Sequence, residues 1–485
     1  FLFMNILFIS GYAGWGEKFA LIGDKLINNN EINKYDVITQ GLDSYENLKN
    51  MEMKGNHIVF ENTYKQFLDS PQQQNIEQLE KKYGSLYKIA SSDRTLVQFT
   101  HPLNYGKDHN KNFLVNYVAF WLNYFEEYFI KNKTDFVITS VIASCMPLAA
   151  ALVTKKNKLK LLNLGGTRFP DRTCFFSDIY ISERTSFARH DSSHANKAHE
   201  FLDKVIEKNK SEPSWSKWRQ NIANPLDLRN YFRFFKYNSL YSKYKHYFGL
   251  DNFKDPIIFI PSIRLRLEKY ILKVFRSMYF RNIKKTNDLS KNDFYLYALH
   301  VDPEMATSVL ALEWIDQLDL IKRIRINMPH NRTLLVKEHP TMIGVRNINF
   351  YKDLMKIPGV EICSETLPTV ELIKKSKLVI SVTGTICFEA SLYNKASFLF
   401  SKTDFSKLSS ISVFDGNLDN IDQQLSNAEN NSLQNSELTD LLAENFANSV
   451  DITGEEIWDS EVKFNLDFIQ KMTNLISLNL RSFKI

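Results

Sequence analysis

A chain of 485 residues is too long for one compact core and divides into two large or three ordinary domains. Its 44% hydrophobic and 24% charged residues, with 13 Pro and 16 Gly, exclude the disordered and fibrous classes. A net charge of +6 permits an anionic partner without demanding one, and no nucleic-acid module stands out. The four cysteines, Cys145, Cys174, Cys363 and Cys387, are far apart and form no Cys-x-x-Cys pair. Neither a disulfide framework nor a structural zinc site is expected, and a reducing, cytoplasmic setting fits.

The apolar start, Phe1 to Ser10, lacks a basic leader and runs at once into Gly11-Tyr-Ala-Gly14-Trp15-Gly16. It therefore reads as a strand entering a turn, rather than a signal peptide or a membrane span. Helical spacing follows over 17–28. Thr134–Thr139 is a strand, Ser140–Pro147 a turn, Leu148–Lys155 an Ala-rich helix and Lys160–Leu164 the next strand. Strand, turn, helix, strand is the βαβ rhythm of a parallel sheet. From about 229 to 285 cations interleave with aromatics, as in Arg229–Tyr237 and Arg264–Tyr270. This stretch suits a packed helical region between domains, with docking at a membrane surface as the other reading.

After a polar linker over 286–292 the rhythm restarts. Strands are predicted at 294–299, 333–337, 360–362, 378–382 and 396–400. Helices fall at 305–327, 350–356, 369–375 and 386–393, and a surface loop over 415–435. The tail from Ile452 to Ile485 has amphipathic spacing and is expected to pack back on the first domain. The expected divisions are an acceptor domain over 1–228, the basic aromatic segment over 229–292, a donor domain over 293–450 and a returning helix over 451–485. Two α/β halves joined by a linker make two Rossmann-like domains facing each other across a cleft.

The second half carries the chemistry. Strand 378–382 runs into Thr383-Gly384-Thr385 and a helix. The glycine lets the backbone approach an anion, the hydroxyls donate, and the first helical amides add a positive end: a phosphate seat that needs no metal. Glu389, one turn on, is placed to accept from ribose hydroxyls. On the preceding strand, Leu334-Leu-Val-Lys-Glu-His-Pro340 puts His339 at the C-terminal edge, where open parallel sheets bind ligands. Pro340 fixes the turn, and the imidazole can donate to a phosphate as its charge develops.

In the first half, Gly11–Gly16 can bring backbone close to the donor, with Gly14 as the closest approach and Trp15 as a stacking surface. Leu164-Gly-Gly-Thr-Arg168-Phe-Pro-Asp171-Arg172 offers Arg168 and Arg172 to an acidic acceptor and Asp171 as a base.

The stretches LLVKEHP and PGVEICSETLPTVELIKKSKLVISVTGTICFEASLYNKASFLF resemble the bacterial capsule and surface-polysaccharide biosynthesis proteins, a group that includes the Kdo transferases and is related in motif to bacterial sialyltransferases. The resemblance covers about 294–400. It implies a GT-B glycosyltransferase, with two Rossmann-like domains around a central cleft and a helical region between them. By this resemblance His339 contacts the donor phosphate, Thr383, Gly384 and Thr385 hold it, and Glu389 steadies the nucleoside; Lys337 and Pro340, in the same stretch, are further donor-binding candidates. Glu304, in His300-Val-Asp-Pro-Glu304, matches the family's loop after the first strand of this domain. His339 and Asp171 become the candidate catalytic pair. The implied substrates are a nucleotide sugar, CMP-Kdo-like or another, and a growing capsular or lipopolysaccharide-type glycan, free or lipid-linked. No cofactor or metal is expected, and contact with the inner face of a membrane is. The competing expectations are a UDP-sugar 2-epimerase of similar fold, a CDP-polyol phosphotransferase, and a non-catalytic glycan-binding scaffold.

Overall fold

The computed structural model describes residues 4–11, 14–39, 47–69, 75–93, 111–208, 263–287, 293–302, 304–434, 436–458 and 465–483. The motif Arg229–Tyr237 lies outside them, as do Tyr12 and Ala13 of the first glycine-rich loop.

Two six-stranded sheets organise the chain. The first contains β1 (Asn5–Ser10), β2 (Lys34–Thr39), β3 (Asn56–Val59), β4 (Phe136–Thr139), β5 (Lys160–Gly166) and β6 (Thr173–Phe176), in the order β3-β2-β1-β4-β5-β6. All its pairings are parallel except β5 with β6. The second contains β7 (Phe294–Ala298), β8 (Thr333–Lys337), β9 (Val360–Ile362), β10 (Leu378–Ser381), β11 (Ser397–Leu399) and β12 (Ile411–Val413), in the order β12-β11-β10-β7-β8-β9 and parallel throughout. Central strands such as Ile6–Ile9 and Leu378–Ile380 are buried along their length because helices cover both faces, which is why they read as unbroken apolar runs.

Both sheets are doubly wound. In each, the chain moves outward from its first strand on one side and then crosses to the other, so strand order reverses between β1 and β4 and again between β7 and β10. Ligands bind at such reversals, outside the carboxyl ends of the strands. Two Rossmann-like sheets in tandem are the α/β, GT-B architecture expected from the sequence.

The amphipathic helix Leu466–Ser482 lies on the first sheet. Its Met472, Leu475 and Ile476 share a core with Ile6, Phe8 and Trp15. Several contacts join the two halves. Phe169 enters the core of the second, edge-on to Phe388 at 5.3 Å. Asn445 Nδ2 donates to Phe169 O at 2.7 Å, and Arg184 forms a buried ion pair with Asp404. Val309, just after β7, packs into the core of the first half with Ile142 and Ile179.

Three local expectations are corrected. The tract 415–435 is not a loop throughout: Ile421–Glu429 is a helix whose Ile421, Leu425 and Ala428, at helical spacing, are buried in the second core. The helix after β4 starts at Cys145, so Pro147 sits in its first turn, where proline is tolerated. The region 305–327 is three short pieces, Met305–Ser308, Leu312–Trp314 and Gln317–Asn327, the last capped by Asp316. Of the basic aromatic segment, Ile263–Asn282 is a helix that buries Arg276, Ser277 and Phe280 and exposes Leu267, Ile271, Phe275 and Met278. None of the described helices is long and apolar enough to cross a membrane.

Candidate functional site

The strands β10, β7 and β8 lie side by side and end on one edge of the second sheet. Thr383, His300 and His339 each stand two residues beyond the end of one of them. The sheet thus gathers the hydroxyl turn and the histidine of the His-Pro motif around β7, and adds a second histidine that the motifs did not single out.

His339 caps a short helical turn, Pro340–Met342. The Thr341 N–H donates to His339 Nδ1 at 3.3 Å, and the Thr341 hydroxyl lies 2.8 Å from the same nitrogen. With the Nδ1 lone pair engaged, the ring proton resides on Nε2, which makes that nitrogen a donor. Behind it, the His339 N–H donates to Glu338 Oε1 at 2.6 Å. Glu338 is buried and pairs with Arg346, Nε to Oε2 at 2.8 Å, while the Tyr351 hydroxyl donates to Oε2 at 2.7 Å. The Arg346 guanidinium also lies over the Phe350 ring at 4.7 Å and donates from Nη2 to His300 O at 2.7 Å. One buried arginine therefore ties the loop bearing His339 to the loop bearing His300. Burial beside the Glu338 carboxylate pushes the Tyr351 phenol well above its ordinary range.

The His300 imidazole is buried against the next strand end. Its Nε2 lies 3.0 Å from Ser381 Oγ and accepts from Val382 N–H at 3.3 Å and Thr383 N–H at 3.4 Å. Its backbone pairs with the buried Gln317 amide in both directions, N–H to Oε1 at 2.7 Å and Nε2 to the His300 carbonyl at 3.3 Å. Nε2 can accept only in the neutral ring. Burial holds the His300 pKa down to about 4, against the usual 6.5, with the Glu304 charge opposing the shift.

A stability prediction follows. Between pH 6.5 and about 4 the unfolded chain takes up a proton that folded His300 refuses, so stability is lost as pH falls through that window. At about 1.4 kcal/mol per pKa unit the loss approaches roughly 3 kcal/mol. Denaturant midpoints at pH 7.5 and 4.5 check this: His300→Gln should show a smaller drop than the parent chain, and an equal drop would refute it.

Gly384 has no left-handed backbone. A Cβ there would meet Ser381 Oγ at 2.3 Å and His300 Cε1 at 3.5 Å, so the glycine is needed to clear its own supports. Thr385 precedes the helix Ile386–Leu392 without a side-chain cap, and Glu389, half-buried, lies one turn along it. At seven residues this helix contributes only a small dipole. Thr383 is 9% exposed, and its Oγ1 is buried without a hydrogen-bond partner. An unsatisfied buried hydroxyl is costly and calls for an explanation, such as a ligand.

The remaining candidates fall elsewhere. Lys337 Nζ donates to Leu367 O at 3.0 Å, tying the end of β8 to the loop after β9. Glu304 caps Met305–Ser308 through its carbonyl, which accepts from Ser308 Oγ at 2.7 Å, and its charge is felt by His300. Gly14 starts the first helix with φ 81° and has open space around a Cβ, while Gly11 makes the close approach: a Cβ there would lie 2.4 Å from Val141 O. Trp15 cannot stack on a substrate, because it is fully buried with Nε1–H donating to Ile457 O at 3.2 Å.

The segment 164–172 is the end of β5 and a hairpin into β6, with Arg168 at φ 70°. Its tip residue Phe169 contacts Phe388, on the helix that carries Glu389, and Arg168 beside it is half-buried. Arg172 instead faces the C-terminal return: Nε donates to Ser449 Oγ at 2.8 Å, Nη1 lies 3.4 Å from Asp451, and the ring of Phe446 lies 5.5 Å beneath it. Asp171 Oδ1 accepts from Gly454 N–H at 2.9 Å. These contacts give Arg172 and Asp171 an anchoring task in the fold.

A family model for capsule polysaccharide biosynthesis proteins matches residues 190–443, more than half of the chain. No curated protein matches the sequence. Among solved structures the chain is similar to UDP-GlcNAc 2-epimerase from Methanocaldococcus jannaschii, at 15% identity over 90% of this chain and 98% of that one, with a TM-score of 0.24. It is also similar to a Thermosulfurimonas dismutans KpsC beta Kdo 2,7 transferase, at 12% identity over 73% and 89%, with a TM-score of 0.31. A third similarity is to S. aureus MnaA, at 12% identity over 99% and 98%, with a TM-score of 0.26. Overlaps this loose do not bear on function.

Proposed function

We propose sugar transfer from a nucleotide sugar as the activity of this chain, which belongs to the capsule polysaccharide biosynthesis family. The observation that carries the reading is the buried, unpartnered Thr383 hydroxyl at the strand-order reversal between β7 and β10. A donor phosphate placed there is met by that hydroxyl and by the amides of Gly384 and Thr385. His339 approaches from the end of β8 with a protonated Nε2. As the sugar–phosphate bond breaks, negative charge grows on the leaving phosphate, and a donor aimed at that oxygen lowers the barrier. Glu389 is assigned to the nucleoside hydroxyls. In this reading hydroxyl, amide and imidazole groups meet the phosphate charge and no metal is required. The donor is assigned to the CMP-Kdo-like class and the acceptor to a growing capsular glycan, with Arg168 meeting its negative charge.

A thermal-shift series over CMP, UDP, GDP and dTDP tests the donor side, since a ligand that binds only the folded chain raises its melting temperature. One of the four should do so. Thr383→Val removes the orphaned hydroxyl while keeping its volume. The unliganded variant should gain about 1 kcal/mol, and its affinity for that nucleotide should fall about tenfold. Unchanged affinity in Thr383→Val would sink the assignment. Formation of an epimer from UDP-GlcNAc without any acceptor would replace transfer by epimerisation.

A further inference from the structure

The hydroxyl turn is held by few side-chain contacts of its own. Thr385, at its end, has no side-chain cap, and the helix that follows is seven residues long. Phe400 and Ser401 N–H groups donate to the Ser381 and Val382 carbonyls, and a side chain 81 residues before Ser381 meets the turn on its amide side: His300, whose Nε2 takes the Val382 and Thr383 N–H groups and meets the Ser381 hydroxyl. The amides of Val382 and Thr383 are therefore engaged by the protein itself. The anion is left to the residues immediately after them. The His300 carbonyl is in turn gripped by Arg346, which pairs with Glu338, the residue whose carboxylate receives the His339 N–H. The chain of contacts from the turn to His339 is unbroken, and its members Ser381, His300, Arg346 and Glu338 are all buried.

We propose that His300 is a positioning residue for the donor site. Its neutral imidazole holds Ser381–Thr383 in the shape that presents the Thr383 hydroxyl and the Gly384 and Thr385 amides to a phosphate, and Arg346 keeps that turn in register with His339. The proposal rests on the donor-site reading above. It also makes the seat narrower than the Thr-Gly-Thr motif suggests, because the first amide of the motif faces the imidazole and only the later ones face the ligand. A histidine that merely filled space in the core would have no need of an accepting nitrogen at this point. A glutamine side-chain oxygen reaches about where Nε2 does, whereas leucine fills the volume and accepts nothing.

The full chain is compared with His300→Leu, His300→Gln and the milder Ser381→Ala. Two measurements are made: amide hydrogen exchange of the peptide 378–392, and affinity for whichever of CMP, UDP, GDP or dTDP shifts the parent chain. In His300→Leu, exchange at Val382 and Thr383 should rise at least about tenfold and the nucleotide should bind about tenfold more weakly, with His300→Gln restoring both to within about threefold. Ser381→Ala, which removes only the 3.0 Å contact, should move exchange in the same direction by about threefold. Unchanged exchange in both His300→Leu and Ser381→Ala would overturn the proposal. Faster exchange with unchanged affinity would overturn the link between turn shape and binding. If the parent chain binds none of the four nucleotides, the donor reading falls, and the exchange data still decide whether His300 holds the turn.

Discussion

Replacing His339 with alanine is expected to abolish sugar transfer, lowering kcat by at least about a hundredfold, while the chain stays folded. The side chain is only half-buried, and what it gives the fold is a cap on the Pro340–Met342 turn, a contact worth about 1 kcal/mol. His339→Asn separates the two roles. Its side-chain oxygen can still accept from the Thr341 N–H, as Nδ1 does now, but it places no donor where Nε2 stands. Both variants should be inactive, with the asparagine variant melting close to the parent. Full activity in His339→Ala would remove the imidazole from the chemistry, and activity restored in His339→Asn would reduce it to a cap. Single-turnover rates with a labelled donor are the direct measurement.

Arg346→Met should destabilise the chain by about 3–5 kcal/mol, the usual consequence of leaving one member of a buried pair unmatched. The buried Glu338 carboxylate would then keep only the Tyr351 hydroxyl and the His339 N–H, and the His300 carbonyl would lose its strongest donor. Glu338→Met combined with Arg346→Met removes both charges and should recover part of the loss, because no ion is left stranded in the core. A double-mutant cycle on denaturant midpoints reads the coupling. A single variant within about 1 kcal/mol of the parent would show that the pair is not a structural strut. Activity should fall further than stability alone explains, since both strand-end histidines depend on this one guanidinium.

How much of this was legible depended on distance along the chain. Thr333–Lys337, Val360–Ile362 and Thr369–Lys375 match the sequence reading to the residue, because each is a strongly patterned run between clear breaks. Strands β2, β3, β6 and β12 were not foreseen. Lys34-Tyr-Asp-Val-Ile-Thr mixes charge into its run, Asn56-His57-Ile-Val begins polar, and the other two are only four and three residues long. The helix inside 415–435 hid because Ile421, Leu425 and Ala428 are too few to lift a polar stretch out of a loop assignment. Trp15 looked like a stacking surface because neighbouring glycines suggest an open loop. Its burial depends on Ile457 and Phe468, far along the chain.

His300 was the instructive omission. The strand-end rule that singled out His339 applies equally to a histidine two residues beyond β7. What could not be read is its task, since its partners on β10 become neighbours only when the sheet reverses its strand order. Asp171 and Arg172 show the same dependence on distance. Charged residues in a glycine-rich loop resemble a binding set, but their contacts here are with Gly454, Ser449 and Asp451, again from the distant tail.

That tail has a consequence for how the protein is made. The indole N–H of Trp15 finds its acceptor on Ile457, 442 positions later, and the core around Ile6 and Phe8 is closed by Met472, Leu475 and Ile476. Domains emerging from a ribosome generally fold in turn, the first one first. Here the first sheet is made early, and its core beside Trp15 and Phe19 is closed only when the helix Leu466–Ser482 has been synthesised, after every strand of the second sheet. The order in which the two sheets are synthesised is therefore the reverse of the order in which their cores can close.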